Sequence, residues 1–503
     1  MGFPIRWEAD MLTLGLITKM LFGKPAPLPY SVKEDYEYLY DDGLTMGTLI
    51  IGRQGTGKTT SLARHCVEYM INHPNRATFV LDSSGSISNS ILTLVLQQPK
   101  ETRDSLIRRF VYDDLGNPEW AMPFPEFSQE YGTSYEDQVQ RVSVNLSKLQ
   151  PELVTGAPYL AGLTLKEITP QICRLLTAIV NEHGETWQIT EAKKLLTDPR
   201  ILKTCLSRYG YKVPEAKWFL ESVFSRWSKH ERELKSYAFL ALIGMIEPKE
   251  IRARIGYYRP AWTPHEAIEK GLMVLVNGSR LINRRSAQHY LFTQVYSIIM
   301  SEINKRQPGD PRDKPVALVL DEVYSLLSIP GMAEEIGMLS PLYRSRKLEL
   351  YVVLQALSQL ALELRKHIWS IGNIVCFGVS NFDEAYDIAQ QLFKYDPQTV
   401  KLPARSEVGQ PIVEPDRGQY LVVANHIQRM KHRECIMRRY ESEKLLDKYV
   451  RYVSKTKEIP NKPLGNTVEE LKEWLIKRRG IRVRGALEVI NKRKITSSQP
   501  PKI

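Results

Sequence analysis

Apolar residues in this chain fall into short unbroken runs that stop at polar residues or glycine, with stretches of helical spacing between them. Leu49–Ile51 is the first run. A glycine-rich turn follows it, and then Ser61–Met70, in which Leu62 and Cys66 fall on one helix face. Ala77–Leu81 ends in Asp82-Ser83-Ser84-Gly85, and Phe110–Tyr112 ends in Asp113-Asp114. Strands alternating with helices, with polar residues at the strand ends, predict a parallel sheet whose ligand sits at its carboxyl edge.

Near Trp120 the pattern changes. As far as about Pro260 the periodicity is helical, as in Pro170–Asn181, Glu191–Leu196, Glu215–Trp227 and Lys235–Ile246. Strand character returns at Gly271–Asn277, followed by a long helix over Ser286–Lys305 and a polar hinge, Gln307–Lys314. Val316–Leu320 then leads into Asp321-Glu322. A helix near Met332–Tyr343 is expected next, then a strand Leu348–Leu354 ending at Gln355, a helix from Ser358, a strand Ile374–Gly378 and a helix Asp383–Phe393. Gln419–Val423 and Glu434–Met437 read as a last strand pair, and the chain from Glu441 as helical and charged, with a basic, mobile end over Lys477–Ile503. The expected class is therefore α/β. An N-terminal segment (1–45) precedes a sheet domain in two parts (46–119 and 266–440). An all-α insertion (120–265) interrupts that domain, and a helical, basic extension (441–503) follows it.

Composition narrows this picture little. A chain of 503 residues holds more than one domain, and 43% hydrophobic with 25% charged residues is the usage of a globular protein. The net charge of +12 makes a polyanion or an acidic membrane surface a plausible partner. The five cysteines are far apart and form no CxxC, so no zinc site is expected and a reducing compartment is the default. Met11–Phe22, the most apolar N-terminal run, is interrupted by Lys19 and reads as a core helix too short to span a bilayer. The expected location is the cytoplasm, with the membrane periphery as the alternative.

The turn after Leu49–Ile51 changes the picture most. Gly52, four free positions and then Gly57-Lys58-Thr59 form a phosphate-binding loop. Backbone N–H groups over Gly52, Gln54, Gly55, Thr56, Gly57 and Thr60 can wrap a phosphate where glycine removes the side chain. Lys58 supplies a charge for the β- and γ-phosphates, and Thr59 a hydroxyl for Mg²⁺. The helix that starts there aims its positive end at the anion. The run VALVLDE adds a second half: Asp321 for the Mg²⁺ shell and Glu322 to polarise an attacking water. Gln355, at the end of the next strand, suits a neutral contact to the γ-phosphate or the water. Arg344 and Arg346 precede that strand, and either can reach a neighbouring subunit's nucleotide. A guanine-reading Asn-Lys-x-Asp run is missing, because Asn461-Lys462-Pro463-Leu464 lacks the aspartate; ATP is expected over GTP.

In order, GRQGTGKTT, FVLDSSG, a helical insertion, MVLVNGSR, VALVLDE, RSRKLELYVVLQALSQL and NIVCFGVSNFDEAYDIAQQLF resemble the HerA–FtsK superfamily of ring-shaped motor ATPases. Within it they look most like TraG/TraD-type conjugative coupling proteins and related secretion ATPases, over about residues 46–440. That resemblance implies a RecA-like core, a homohexamer and DNA threaded through a central pore by ATP hydrolysis. It makes Lys58 and Thr59 the phosphate and Mg²⁺ contacts, Asp321 the metal-side acid, Glu322 the catalytic base, Gln355 the polar sensor and Arg344 the arginine acting in trans. The chain departs from the pattern in having no transmembrane helix, no glycine after the arginine in RSRKLEL, and serines after Asp82 where a proline–lysine pair is common. Alternatives of the same chemistry are a secretion-system ATPase acting on protein or pilus assembly, and a viral DNA-packaging ATPase; a nucleotide-binding scaffold is the non-enzyme alternative. Candidate DNA contacts are Lys217-Trp218-Phe219, Arg226-Trp227, Lys229, Arg252, Arg254, Tyr257-Tyr258-Arg259, Arg280, Arg284 and Arg285. The tail cluster Lys477, Arg478, Arg479, Arg482 and Arg484 reads as a DNA or lipid contact or as a solvated charged end.

Overall fold

The computed structural model describes residues 31–32, 47–148, 158–180, 185–322, 332, 335–336, 345–360, 362–393, 401–405, 411–413, 416–443, 446–455 and 466–492. In chain order the strands are β1 (Ser31–Val32), β2 (Thr48–Ile51), β3 (Ala77–Asp82), β4 (Phe110–Asp114), β5 (Trp120–Ala121), β6 (Met273–Asn277), β7 (Val316–Asp321), β8 (Leu348–Leu354), β9 (Asn373–Phe377), β10 (Lys401–Arg405), β11 (Pro411–Val413), β12 (Glu434–Glu443), β13 (Leu446–Lys455) and β14 (Ile481–Arg482). Ten of them form one sheet in the order β1-β13-β12-β9-β2-β8-β7-β3-β6-β4. From β9 to β4 every pair is parallel, whereas β12 is antiparallel to both β9 and β13.

The unbroken apolar runs are explained by burial on both faces. Every residue of β2, β3, β4, β6, β7, β8 and β9 is buried. Alternate residues serve opposite layers. Ile50, Val80, Leu275 and Val319 pack with Leu62, Val67, Ile91 and Leu475 on one face, while Leu49, Leu81, Val276 and Leu320 pack with the inserted helices on the other. The helices Lys58–Asn72 and Ser86–Leu96 therefore lie on the first face. The insertion and the long helix Arg285–Asn304 lie on the second.

Three expectations are corrected. Gln419–Val423 lies inside a helix, Asp416–Arg429, and Glu434–Met437 pairs antiparallel with β13 on one side and β9 on the other. The chain past Glu441 continues as strand to Glu443 and again over Leu446–Lys455 before turning helical at Asn466. The basic end is also docked rather than loose over its described part. Helix Asn466–Arg479 buries Leu471, Leu475 and Ile476. Its Arg478 donates to the carbonyl of Phe110 on edge strand β4, so the edge is covered by a helix. Arg479 Nη2 donates to Glu266 Oε1 at 2.9 Å, and β14 pairs with β5. Met11–Phe22, nearly all of Met332–Tyr343 and residues 493–503 lie outside the described residues. Among the described residues no helix is long and apolar enough to cross a membrane. The five cysteines are buried and none is in a disulfide, and burial pushes Cys66 up to about 12.

Asp113, near the end of β4, ties the insertion to the sheet. It is fully buried, pairs with Arg254 Nη1 at 2.5 Å and accepts from Trp262 Nε1 at 3.1 Å. Arg254 also donates to the Met122 carbonyl at 2.8 Å. Desolvation outweighs the arginine and holds the Asp113 carboxyl above the usual carboxylate range.

Candidate functional site

The phosphate loop leaves β2 between the ends of its two neighbours. Gly52 N–H donates to the Leu354 carbonyl at 3.3 Å and Arg53 N–H to the Gly378 carbonyl at 2.9 Å. A Cβ on Gly52 would lie 2.6 Å from Phe377 Cβ, and the backbone there has φ 156°, so only glycine fits. Arg53, Gln54 and Gly55 are exposed, while Thr56 turns inward and its hydroxyl donates to the Arg53 carbonyl at 2.8 Å. Gly57 is the N-cap of helix Lys58–Asn72 in the left-handed conformation, with no side-chain cap and no acid in the first turn. Among the described residues no side chain caps the first-turn N–H groups, which is the arrangement an anion requires. Lys58 is buried and its Nζ donates to the Gly52 and Arg53 carbonyls. Burial lowers its pKa to about 8, against the pull of Asp321 and Glu322. Thr59 and Thr60 are half-buried on the same turn.

The acid side is built by long-range pairing. Asp321 ends β7 directly across from Asp82, the end of β3, and both are buried. Asp82 accepts from Gly85 N–H at 2.7 Å, Ser88 N–H at 2.8 Å and Ser84 N–H at 3.2 Å. The Ser86 hydroxyl donates to Asp321 at 3.4 Å. Burial raises both carboxyls. Asp321 reaches about 8, with Asp82 and Glu322 adding repulsion and Lys58 opposing it. Glu322 follows at φ 49°, a left-handed conformation that is rare for a side-chain-bearing residue. Gln355, the first residue after β8, donates from Nε2 to Glu322 Oε1 at 2.5 Å. Strained backbone and amide together fix the Glu322 carboxylate at the strand ends.

These residues fit a magnesium–nucleotide. Among the described residues no group of three or more His, Cys, Asp or Glu could hold a metal alone. Mg²⁺ typically takes one or two protein oxygens and completes its shell with phosphate and water, and Asp321 with Thr59 offers that number. Two buried carboxyls in register, both raised by burial, are a place where a cation relieves repulsion.

Of the arginines that the sequence puts forward, Arg344 lies outside the described residues, and Arg346 is bonded to Asn304 within its own chain. Arg254 is not a polymer contact, being buried in its pair with Asp113. Arg280 pairs with Asp114 at 2.7 Å and Arg284 with Glu250 at 2.5 Å, while Arg259 lies 3.3 Å from Glu130. Trp218 remains exposed, and Phe219 and Trp227 pack edge to face. Sequence reasoning missed Asp82 as a member of the site, although its place at a strand end before serines and glycine was a signal. It also missed His432 and Arg433, for which the sequence carries none. His432 Nδ1 lies 2.6 Å from the Gly55 carbonyl, and Arg433 N–H donates to the Thr56 carbonyl at 2.9 Å.

A parallel sheet with a phosphate loop after its central strand β2 and an acid pair two strands away is the RecA-like P-loop α/β fold. The solved structures agree. A bacterial conjugative coupling protein, TrwBdeltaN70 in an unbound monoclinic form, is similar over 83% of this chain and 85% of its own, with a TM-score of 0.55 and 14% identity. The plasmid coupling protein TrwB in complex with the non-hydrolysable GTP analogue GDPNP aligns over 89% and 94% with a TM-score of 0.49 and 14% identity. VirB4 of Thermoanaerobacter pseudethanolicus aligns over 82% and 90% with a TM-score of 0.45 and 13% identity. No family model matches the chain, and no curated protein sequence does. The likeness to the coupling protein is one of fold, and it meets the resemblance read from the motifs at that level.

Proposed function

We propose that this chain is an ATP-hydrolysing motor of the conjugative-transfer type, which works as a homohexameric ring and moves DNA. The observation that carries the reading is Glu322, held at the strand ends by the Gln355 amide at 2.5 Å and adjoining a buried acid that faces the phosphate-loop lysine electrostatically. A surface acid with no catalytic task has no need of a strained backbone and a dedicated amide partner.

In this mechanism the loop N–H groups from Gly52 to Thr60 and the first turn of the following helix bind the phosphates. Lys58 leaves the Gly52 and Arg53 carbonyls and bridges the β- and γ-phosphate oxygens. Glu322 takes the proton of the attacking water as its oxygen bonds to the γ-phosphorus and the bond to the β–γ bridging oxygen breaks. Gln355 keeps Glu322 aimed. Mg²⁺, held by Thr59 and Asp321, would neutralise phosphate charge in the transition state. Arg344 of an adjacent subunit would supply the trans charge. Residues 46–119 and 266–440 act as the motor, 120–265 as the inserted domain and 441–503 as an extension. The cell compartment is the cytoplasm, beside a membrane-bound transfer apparatus.

The net charge of +12 and the exposed Trp218 beside Lys217 favour a nucleic acid as the polymer. The test is ATP turnover by assembled rings with and without single- and double-stranded DNA at rising salt. DNA should stimulate turnover and its binding should weaken steeply with salt. Turnover indifferent to both forms of DNA would overturn the DNA reading and leave an NTPase acting on another polymer.

A further inference from the structure

We infer that the turn between helix Asp416–Arg429 and β12 is a latch that pre-shapes the phosphate loop, with His432 as its positioning residue; this rests on the reading of the loop as the nucleotide site. A loop that wraps an anion points successive N–H groups inward and so turns carbonyls outward. Outward carbonyls need donors, and a loop that must find them only on binding loses part of its affinity to ordering. Here two of them already have protein donors. The Gly55 carbonyl lies 2.6 Å from His432 Nδ1, and the Thr56 carbonyl accepts from Arg433 N–H at 2.9 Å. A carbonyl oxygen only accepts, so Nδ1 carries the hydrogen.

The turn is itself braced. Glu434 Oε2 accepts from Lys431 N–H at 2.9 Å, and Glu434 N–H donates to the Lys431 carbonyl at 3.1 Å. Arg433 stands at φ 69°, in the left-handed region, and its Cγ is 2.9 Å from where a Cβ on Gly57 would be. The residues before it are fixed to the segment just past β9, where Gln428 Nε2 donates to the Ser380 carbonyl at 3.1 Å. Beyond it, β12 pairs with β9 from Cys435↔Phe377. The loop is thus framed by Phe377–Gly378 on one side and by His432–Arg433 on another. These contacts come from far downstream, as the separation of 377 positions between His432 and Gly55 makes plain. A side chain placed there only to keep the surface soluble would not need a turn held in a left-handed conformation to deliver it.

The test uses the full chain with Mg²⁺ and a fluorescent ATP analogue as probe, in His432→Ala, His432→Asn and His432→Gln. Asparagine carries its amide N–H close to the position of Nδ1, and glutamine places it one carbon further out. His432→Ala should raise Kd and KM together by about three- to tenfold, the effect of losing one hydrogen bond, while kcat changes less. His432→Asn should return both to within about twofold of wild type, as expected if the donor alone matters, and His432→Gln should not. Unchanged Kd in His432→Ala overturns the latch. So does equal weakening in all three variants, which would mean that packing and not the donor was lost; thermal melting separates that case from misfolding. Lys58→Ala is the control for the site. If it binds the probe as wild type does, the nucleotide reading of the loop fails; if it loses the probe while His432→Ala does not, only the latch fails.

Discussion

The two sides of the candidate cleft are built by opposite means. On the loop side it is the backbone that is held, by neighbouring main-chain groups and by the side chains of Thr56, Lys58 and His432. Gly52, Arg53, Gly55 and Thr56 each have a main-chain atom bonded to a neighbouring strand end or to the His432–Arg433 turn, while the side chains of Arg53 and Gln54 stay in solvent. The acid side is held by buried side chains. Asp82 and Asp321 face each other across adjacent strands, and Glu322 accepts from the Gln355 amide. On the loop side the buried charge is that of Lys58; on the acid side burial raises both the Asp82 and the Asp321 carboxyls. Under the proposed function, the contrast implies that binding and chemistry are separable, with affinity set by shape on one side and rate by charge on the other.

The sharpest way to break this comparison is Lys58→Ala, since Lys58 sits on the loop and interacts electrostatically with Asp321 and Glu322. It should reduce nucleotide affinity and turnover together by about a hundredfold or more, judged by calorimetric binding and phosphate release. A variant that binds normally would place Lys58 outside the phosphate site. Glu322→Gln should affect only the acid side. The nucleotide should stay bound while turnover falls by roughly 10²–10⁴-fold, the range for losing a general base. Equal loss of affinity would mean that the two sides are not independent. Gln355→Ala should do the same more weakly, with turnover about tenfold lower and KM little changed, because Glu322 keeps its chemistry but loses its aim.

The two sides also differ in how far the sequence discloses them. The loop motif is local: glycine spacing, the lysine and the helix start are contiguous, so Gly52 to Thr60 can be read from one stretch. Val316–Asp321 announces itself as an apolar run ending in acids, and Gln355 as a strand cap. The pairing of Asp82 with Asp321 is not legible, because it depends on strand order and register, which periodicity does not encode. His432 reaches the loop only because β12 turns back antiparallel to β9, and Gln419–Val423, whose apolar run reads as a strand, is part of the helix that leads into that turn. The tie of Asp113 to Arg254 and Trp262 is illegible for a related reason, because only the packing of the inserted helices brings those residues onto it.

That buried pair offers a smaller test, directed at the joint between sheet and insertion rather than at the cleft. Arg254→Ala leaves Asp113 buried without its cation and should cost about 3–5 kcal/mol of stability in urea unfolding. Replacing both partners, as Asp113→Leu with Arg254→Met, should cost less than Arg254→Ala alone, because no charge is then stranded. A double variant worse than the single one would show that the geometry of the pair, not its charge, holds the insertion.

The smallest effect concerns the amino end of the sheet, where the two sides of the cleft are joined. His65, on the helix that begins at the phosphate loop, lies 3.1 Å from Tyr351 Oη on β8, the strand that ends at Gln355. Tyr351 donates to Glu349 Oε2 at 3.0 Å, and Glu349 pairs with Arg76. Because the tyrosine hydrogen goes to Glu349, the His65 Nε2 must donate to Tyr351 Oη, which the neutral imidazole does. Burial, with Arg76 and His73 adding repulsion, holds the His65 pKa well below 6.5. In the unfolded chain the imidazole titrates near that ordinary value, so as pH falls the unfolded state takes up the proton first. The stabilisation is therefore complete above about pH 6.5 and declines below it, by at most about 1.4 kcal/mol per pH unit. His426, lowered by burial as well, contributes in the same direction. Urea unfolding at several pH values between about 7.5 and 5.5 measures the slope, and His65→Gln should flatten it. A slope unchanged by that substitution would mean that His65 is protonated without cost, and the link between the phosphate-loop helix and the strand of Gln355 would have to run through another contact.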